Sequence, residues 1–228
     1  MSNDMKKMNS TPIQFALRTY QASMFWLPAA IWVLFAIMVG IFGKNLQAVK
    51  VSAAYTGVVL PLIGGILGAY AILDDPVLEL QFASPRTTFR MIIERLAVIL
   101  VVLALCAIAY QFFIHWIGLD MSEYGDLWQQ QAAWLVPSVA MTLLGFTGAF
   151  ATAQSTSAAM LVGMVWIVQV IARSWFLDSP VARYFFLFTG ALYPKVDSVV
   201  SSQLTLLGLS LVFLAAGWRL FQKQERYI

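Results

Sequence analysis

The sequence predicts an all-α, polytopic membrane protein with six transmembrane helices. Three observations carry that prediction. Of the 228 residues, 61% are hydrophobic and 11% charged, with a mean hydropathy of +0.78, whereas soluble domains are about 45–50% apolar and about 25% charged. Six segments approach the run of about 20 apolar residues that a bilayer core requires. They are Phe25–Phe42, Val51–Leu73, Leu96–Ile117, Ala132–Ala153, Ala158–Leu177 and Leu204–Phe221. Charge is almost absent from them, and Arg173, one turn from the end of the fifth, can snorkel to the interface.

Taken in order, the elements begin with a helix start at Ser10, Thr11 and Pro12. Ile13, Ala16, Leu17 and Tyr20 then share one face opposite Gln14, Arg18 and Gln21. That pattern predicts a short interfacial helix on the membrane surface, or an extension of span one. The polar N-terminus does not read as a cleaved signal peptide. In span two, Pro61 predicts a bend. Gly64 and Gly68 form a Gly-x-x-x-Gly pair, which fits close packing within the chain or a seam between two chains.

Between spans two and three, Asp75 and Pro76 make a helix start, and Leu78, Leu80 and Phe82 supply an apolar side. Ser84 and Pro85 end that helix, and Thr87 or Thr88 can cap the next one. Asp74 and Asp75 complement the helix dipole there; adjacent acids at a membrane edge are a weak catalytic pair. Spans four and five are joined by Gln154, Ser155, Thr156 and Ser157. Before span six, the stretch from Arg183 to Pro194 is very apolar but too short to span. It is expected to lie at the interface or to dip in and return.

Orientation follows from the basic residues. With both termini on one side, that side holds Lys6, Lys7, Arg18, Arg86, Arg90, Arg95, Arg219, Lys223 and Arg226, nine of the 14. Lys44, Lys50, Arg173, Arg183 and Lys195 fall on the other. Both termini are therefore expected in the cytoplasm, in the inner (cytoplasmic) membrane of the cell. Trp26 and Trp218 are expected at the inner edge, and Trp116, Trp134 and Trp175 at the outer edge. No repeat or low-complexity linker divides residues 1–228, which read as one transmembrane domain.

Several chemistries are excluded. The net charge of +3 is spread without a basic stripe, so nucleic acid is not an expected partner. The one cysteine, Cys106, forms no intrachain disulfide, and the one histidine, His115, cannot make a bis-histidine haem or a His-Glu-x-x-His zinc site. No phosphate-binding loop, nucleophile elbow or dinucleotide fingerprint is present. Catalytic, cofactor and metal residues are therefore none. Carboxylates lie in loops or at edges rather than within spans, unlike an ion-coupled carrier. A largely apolar interior fits a hydrophobic or amphipathic cargo.

Taken together, the six spans, the surface helix, the structured loop after span two and the apolar excursion before span six resemble an ABC-2-type permease. That family supplies the membrane subunit of one class of ATP-binding-cassette exporter. The most specific match runs Leu78-Glu79-Leu80-Gln81-Phe82-Ala83-Ser84-Pro85-Arg86-Thr87-Thr88-Phe89-Arg90 and on to Leu96. The stretch from Phe188 to Ser202, with Tyr193-Pro194, is similar to the family's aromatic-proline segment. Pro76-Val77 stands where the family often has glycine.

The resemblance implies that residues 74–90 contain a coupling helix, with Asp74, Asp75, Glu79, Pro85 and Arg86 docking on a separate ATPase chain. ATP and Mg would sit on that partner, and this chain would be no enzyme. It implies a second permease chain, identical or different, and membrane lipid around the pair. It also implies that spans two and five face the pathway, with Tyr55, Gly163 and Gln169 in its lining. A membrane anchor or assembly subunit without a pathway of its own is the alternative that the residues leave open.

Overall fold

The computed structural model describes residues 23–71, 73 and 88–222. The expected N-terminal surface helix lies outside the described residues, as does the expected coupling helix with Asp74, Asp75, Glu79, Pro85 and Arg86. Every described element is helical: α1 (Ser23–Phe42), α2 (Leu46–Tyr70), α3 (Thr88–Ile117), α4 (Leu127–Thr152), α5 (Ser155–Ile171), α6 (Arg173–Asp178), α7 (Thr189–Leu192) and α8 (Val199–Phe221). Short 3-10 turns occupy Ser122–Tyr124 and Ala182–Phe185.

Four helices are long and apolar enough to cross a membrane: α2, the Ile92–Ile117 part of α3, α4 and α8. Two shorter apolar helices, Trp26–Phe42 and α5, accompany them. Four of the six expected spans are thus helices of spanning length, which fits a multi-pass helical membrane protein, and the first and fifth fall short of that length among the described residues. The fifth differs most. Instead of Ala158–Leu177, the helix runs Ser155–Ile171 and breaks at Ala172 (φ −87°, ψ 19°), where a separate turn, α6, begins with Arg173. The helix is interrupted immediately before Arg173, the first charge in the predicted span.

The other helices begin earlier than their apolar runs, because polar caps rather than hydropathy set their starts. Asn45 caps α2, its side chain accepting from the Ala48 N–H at 3.1 Å. Asp126 and Gln129 form a reciprocal capping box on α4. At 30 residues, α3 is about 45 Å long, which covers headgroups as well as hydrocarbon.

Pro61 acts one turn upstream of itself. Its ring crowds the carbonyl four residues back, that of Gly57, and the backbone widens into a π-helical turn over Tyr55–Val59. The Leu60 N–H then bonds to Tyr55 O, a π-type spacing. The turn is held from outside, since Trp166 Nε1 on α5 donates to Val58 O at 2.8 Å.

α2 and α4 form the centre. A Cβ on Gly145 would strike the Gly65 carbonyl, and one on Gly68 would strike the Thr142 carbonyl. Gly64 also faces Thr142, so the Gly-x-x-x-Gly pair serves close approach inside this chain. Around that pair, α8 is tied by Thr147 Oγ1 donating to Phe213 O at 2.7 Å. At one end of the bundle, Arg95 Nη1 donates to Ala71 O at 2.6 Å, placing a cation on the last carbonyls of α2. At the other end lie Lys44, Gly118 and the 118–126 loop.

The apolar excursion before α8 folds inward. Phe186, Leu187, Phe188 and α7 are buried against α2, α4 and α5. Protein surrounds this irregular backbone, the condition under which it is tolerated at membrane depth. Trp134 is likewise buried, and its Nε1 donates to Gln131 Oε1 at 2.8 Å. Trp128 and Trp116 are exposed.

Candidate functional site

The three residues expected to line a pathway fall in three different surroundings. Tyr55 is fully buried in an aromatic cluster, its ring 4.2 Å from that of Tyr110 and 5.2 Å from that of Phe35. Gly163 opens outward on α5, where an added Cβ would meet nothing within 4 Å. Gln169 is a clasp: its Nε2 donates to Phe185 O at 3.1 Å, and its Oε1 accepts from the Leu187 N–H at 3.2 Å. None of the three lines the main cavity.

That cavity is a groove of about 710 Å³ at the end of the bundle that carries the 118–126 loop, within the range of small-molecule sites. Ala53 and Thr56 of α2 form one wall, and Ile108, Gln111 and Phe112 of α3 another. Leu127, Gln130 and Gln131 of α4 close it, with Gly190 and Ala191 of α7 behind. Small residues let α7 approach so closely: a Cβ on Gly57 would strike Ala191, and one on Gly190 would lie 3.1 Å from Ala133 Cβ.

The loop above the groove is built locally. Gly118 takes φ +77°, which turns the chain out of α3. Asp120 Oδ1 accepts from the Ser122 N–H at 2.9 Å. That bond holds the Asp120 carboxyl below the usual carboxylate range. Tyr124 moves the other way, its phenol pushed up by burial and then by Glu123. Gln130 Nε2 donates to Met121 O at 3.2 Å and to Gly125 O at 2.9 Å, pinning the loop to α4.

The polar chemistry of the groove is a relay of amides. Trp134 Nε1 donates to Gln131 Oε1, and Gln131 Nε2 donates to Gln111 Oε1 at 2.7 Å. The Gln111 Nε2 is left at the end of the relay as a free donor among the described residues. Both Gln130 Nε2 protons are spent on the loop, so its Oε1 remains as an acceptor. His115 and Asp120 also line the groove, and no lysine or arginine does.

Hydropathy and motif spacing do not bring Gln111 together with Gln130 and Gln131. The available signal was Gln129-Gln130-Gln131, which begins three residues after the Asp126 cap and sets three amides within the first two turns of an apolar helix. Among the described residues, no group of three or more His, Cys, Asp or Glu could hold a metal ion. Comparison with family models, with characterised proteins and with solved structures finds no match to this chain.

Proposed function

We propose that this chain is the transmembrane permease subunit of an ATP-binding-cassette transporter, exporting a hydrophobic or amphipathic substrate and powered by a separate ATPase chain. The observation that carries the proposal is the groove of about 710 Å³, set between apolar helices and furnished with uncharged amides. A site of that kind suits an amphipathic molecule and not an ion. The resemblance over residues 78–96 supports the ATP-driven part of the reading. On it, the groove faces the outside, and residues 74–90, with Asp74, Asp75, Glu79, Pro85 and Arg86, face the ATPase. The same reading takes the chain to have six spans with both termini in the cytoplasm, on the side with the larger share of lysine and arginine. ATP and Mg bind the partner, and a second permease chain pairs along the outward faces of the bundle.

The test is purification of the full chain in mild detergent together with the proteins encoded beside it. An ATPase is expected to co-purify, and Glu79→Ala and Arg86→Ala are expected to release it or to uncouple its turnover from transport. A folded chain that retains no ATPase removes the ATP-driven reading. The alternative, a membrane anchor in a larger complex, then leads.

A further inference from the structure

We propose that the groove binds a membrane lipid with an uncharged, hydroxyl-bearing head, such as a diacylglycerol, entering sideways from the adjacent leaflet. The inference deepens the reading above by naming the ligand class of the same groove. It is tested on the chain alone, so the loss of an ATPase partner leaves it standing.

Val101, Leu105, Ile108, Phe112 and Trp116 recur at helical spacing along α3 and are all exposed. They form one apolar stripe that ends at the groove, since Ile108 and Phe112 are themselves lining residues. Trp116 and Trp128 stand 84% and 85% exposed beside the mouth. Exposed tryptophans prefer the membrane–water boundary. The polar lining at His115, Asp120 and Ser122 therefore sits at headgroup depth, and the stripe below it sits in hydrocarbon. A tail lying on the stripe brings its head into the groove.

The groove presents unused amide donors, at Gln111 Nε2 and the second proton of Gln131 Nε2, and an unused amide acceptor at Gln130 Oε1. A free hydroxyl next to an ester carbonyl complements these groups: the hydroxyl donates to Gln130 and the carbonyl accepts from Gln111. No lysine or arginine lines the groove itself, whereas the Asp120 carboxylate does; the nearby Lys44 ammonium lies outside the lining, against Gly118. Asp120 is exposed, so its repulsion of an anionic head is screened by solvent and gives a modest preference for an uncharged one.

The experiment uses the full chain in dioleoylphosphatidylcholine nanodiscs with a photoreactive diacylglycerol carrying a diazirine in one acyl chain. A phosphatidate with the same two chains is the control, and labelled peptides are located by mass spectrometry. The diacylglycerol is expected to label the 108–116 segment saturably, and several-fold more than the phosphatidate. Gln111→Leu is expected to weaken competition by unlabelled dioleoylglycerol about fivefold, the worth of one neutral hydrogen bond. Ile108→Trp, which narrows the mouth from the lipid side, lowers labelling without touching the amides. Equal labelling by both probes, or labelling that does not saturate, marks ordinary annular lipid and overturns the inference. Stronger labelling by the phosphatidate overturns it as well. The comparison of headgroups on the unmodified chain stands even if a variant fails to fold.

Discussion

α2 and α4 are buried over 67% of their apolar windows, whereas α3 and α8 are buried over 28% and 17%. The four helices do not differ in kind of residue so much as in what covers them. The central pair meets backbone to backbone through Gly65, Gly68 and Gly145. The outer pair keeps Val101, Leu105, Phe112, Leu204 and Leu211 on the surface. In lipid, apolar side chains gain nothing by leaving the solvent, so helices associate through close packing and hydrogen bonds. The centre therefore holds the fold, and the outer faces remain available to lipid or to a partner chain.

The largest effect expected from this contrast is at Gly145. A side chain there meets the Gly65 carbonyl and lies 2.9 Å from the Ala69 backbone nitrogen, and neither can swing away. Gly145→Val should destabilise the chain by about 3 kcal/mol or more, as overpacking against backbone does. Gly163→Ala, on the open face of α5, should change stability by less than about 0.5 kcal/mol. Thermal unfolding in detergent, followed by helical circular dichroism, measures both. Equal effects at the two glycines would erase the distinction between centre and periphery.

Next in size is the clasp at Gln169. Gln169→Leu removes the partners of Phe185 O and of the buried Leu187 N–H at once. The cost should be about 1–3 kcal/mol, that of orphaned buried groups. Hydrogen exchange should rise in the 182–193 segment, while the contact between α2 and α4 stays protected. If protection falls uniformly, the excursion and the centre form one cooperative unit.

These two regions were unequally legible in the sequence. Apolar runs locate helices well, because burial in lipid demands them, and every predicted span contains a helix. The ends of those helices escaped a hydropathy reading, because Asn45 and Asp126 set the starts of α2 and α4 in polar stretches. Pro61 was visible as a distortion, but not its form, a π-helical turn over Tyr55–Val59 whose Val58 carbonyl accepts from Trp166 on α5. The groove was the least legible part. Gln111 and Gln131 are 20 positions apart and meet because the Gly118 turn returns the chain to α3. Such convergence belongs to tertiary packing and leaves no periodic trace.

A smaller effect, of opposite sign, is expected inside the aromatic cluster. Tyr55 is fully buried, and its hydroxyl has no hydrogen-bond partner among the described residues. The ring packs against Phe35 and Tyr110, so its shape matters more than its oxygen. Tyr55→Phe keeps those contacts and removes an uncompensated polar group. Stability should hold or rise by about 1 kcal/mol. A clear loss would show that the hydroxyl does bind something in the membrane-embedded protein, and would return Tyr55 to the search for a pathway.

The smallest effect lies at the loop over the groove, where solvent screens what packing enforces elsewhere. The Ser122 N–H favours the charged form of Asp120 and depresses its folded pKa below that of the unfolded chain. The resulting stabilisation is present above the unfolded value and is lost as pH falls through the folded one. Acidification should therefore loosen residues 118–126 before it touches the centre. Exchange of the Ser122 amide, followed from pH 7 downward, should accelerate relative to amides in α4 after correction for intrinsic rates. Asp120→Asn should remove that acid-side dependence while leaving the Gln130 ties to Met121 and Gly125 in place. If the wild-type profile is flat, the carboxylate contributes nothing to loop order, and the glutamine ties alone hold the roof of the groove.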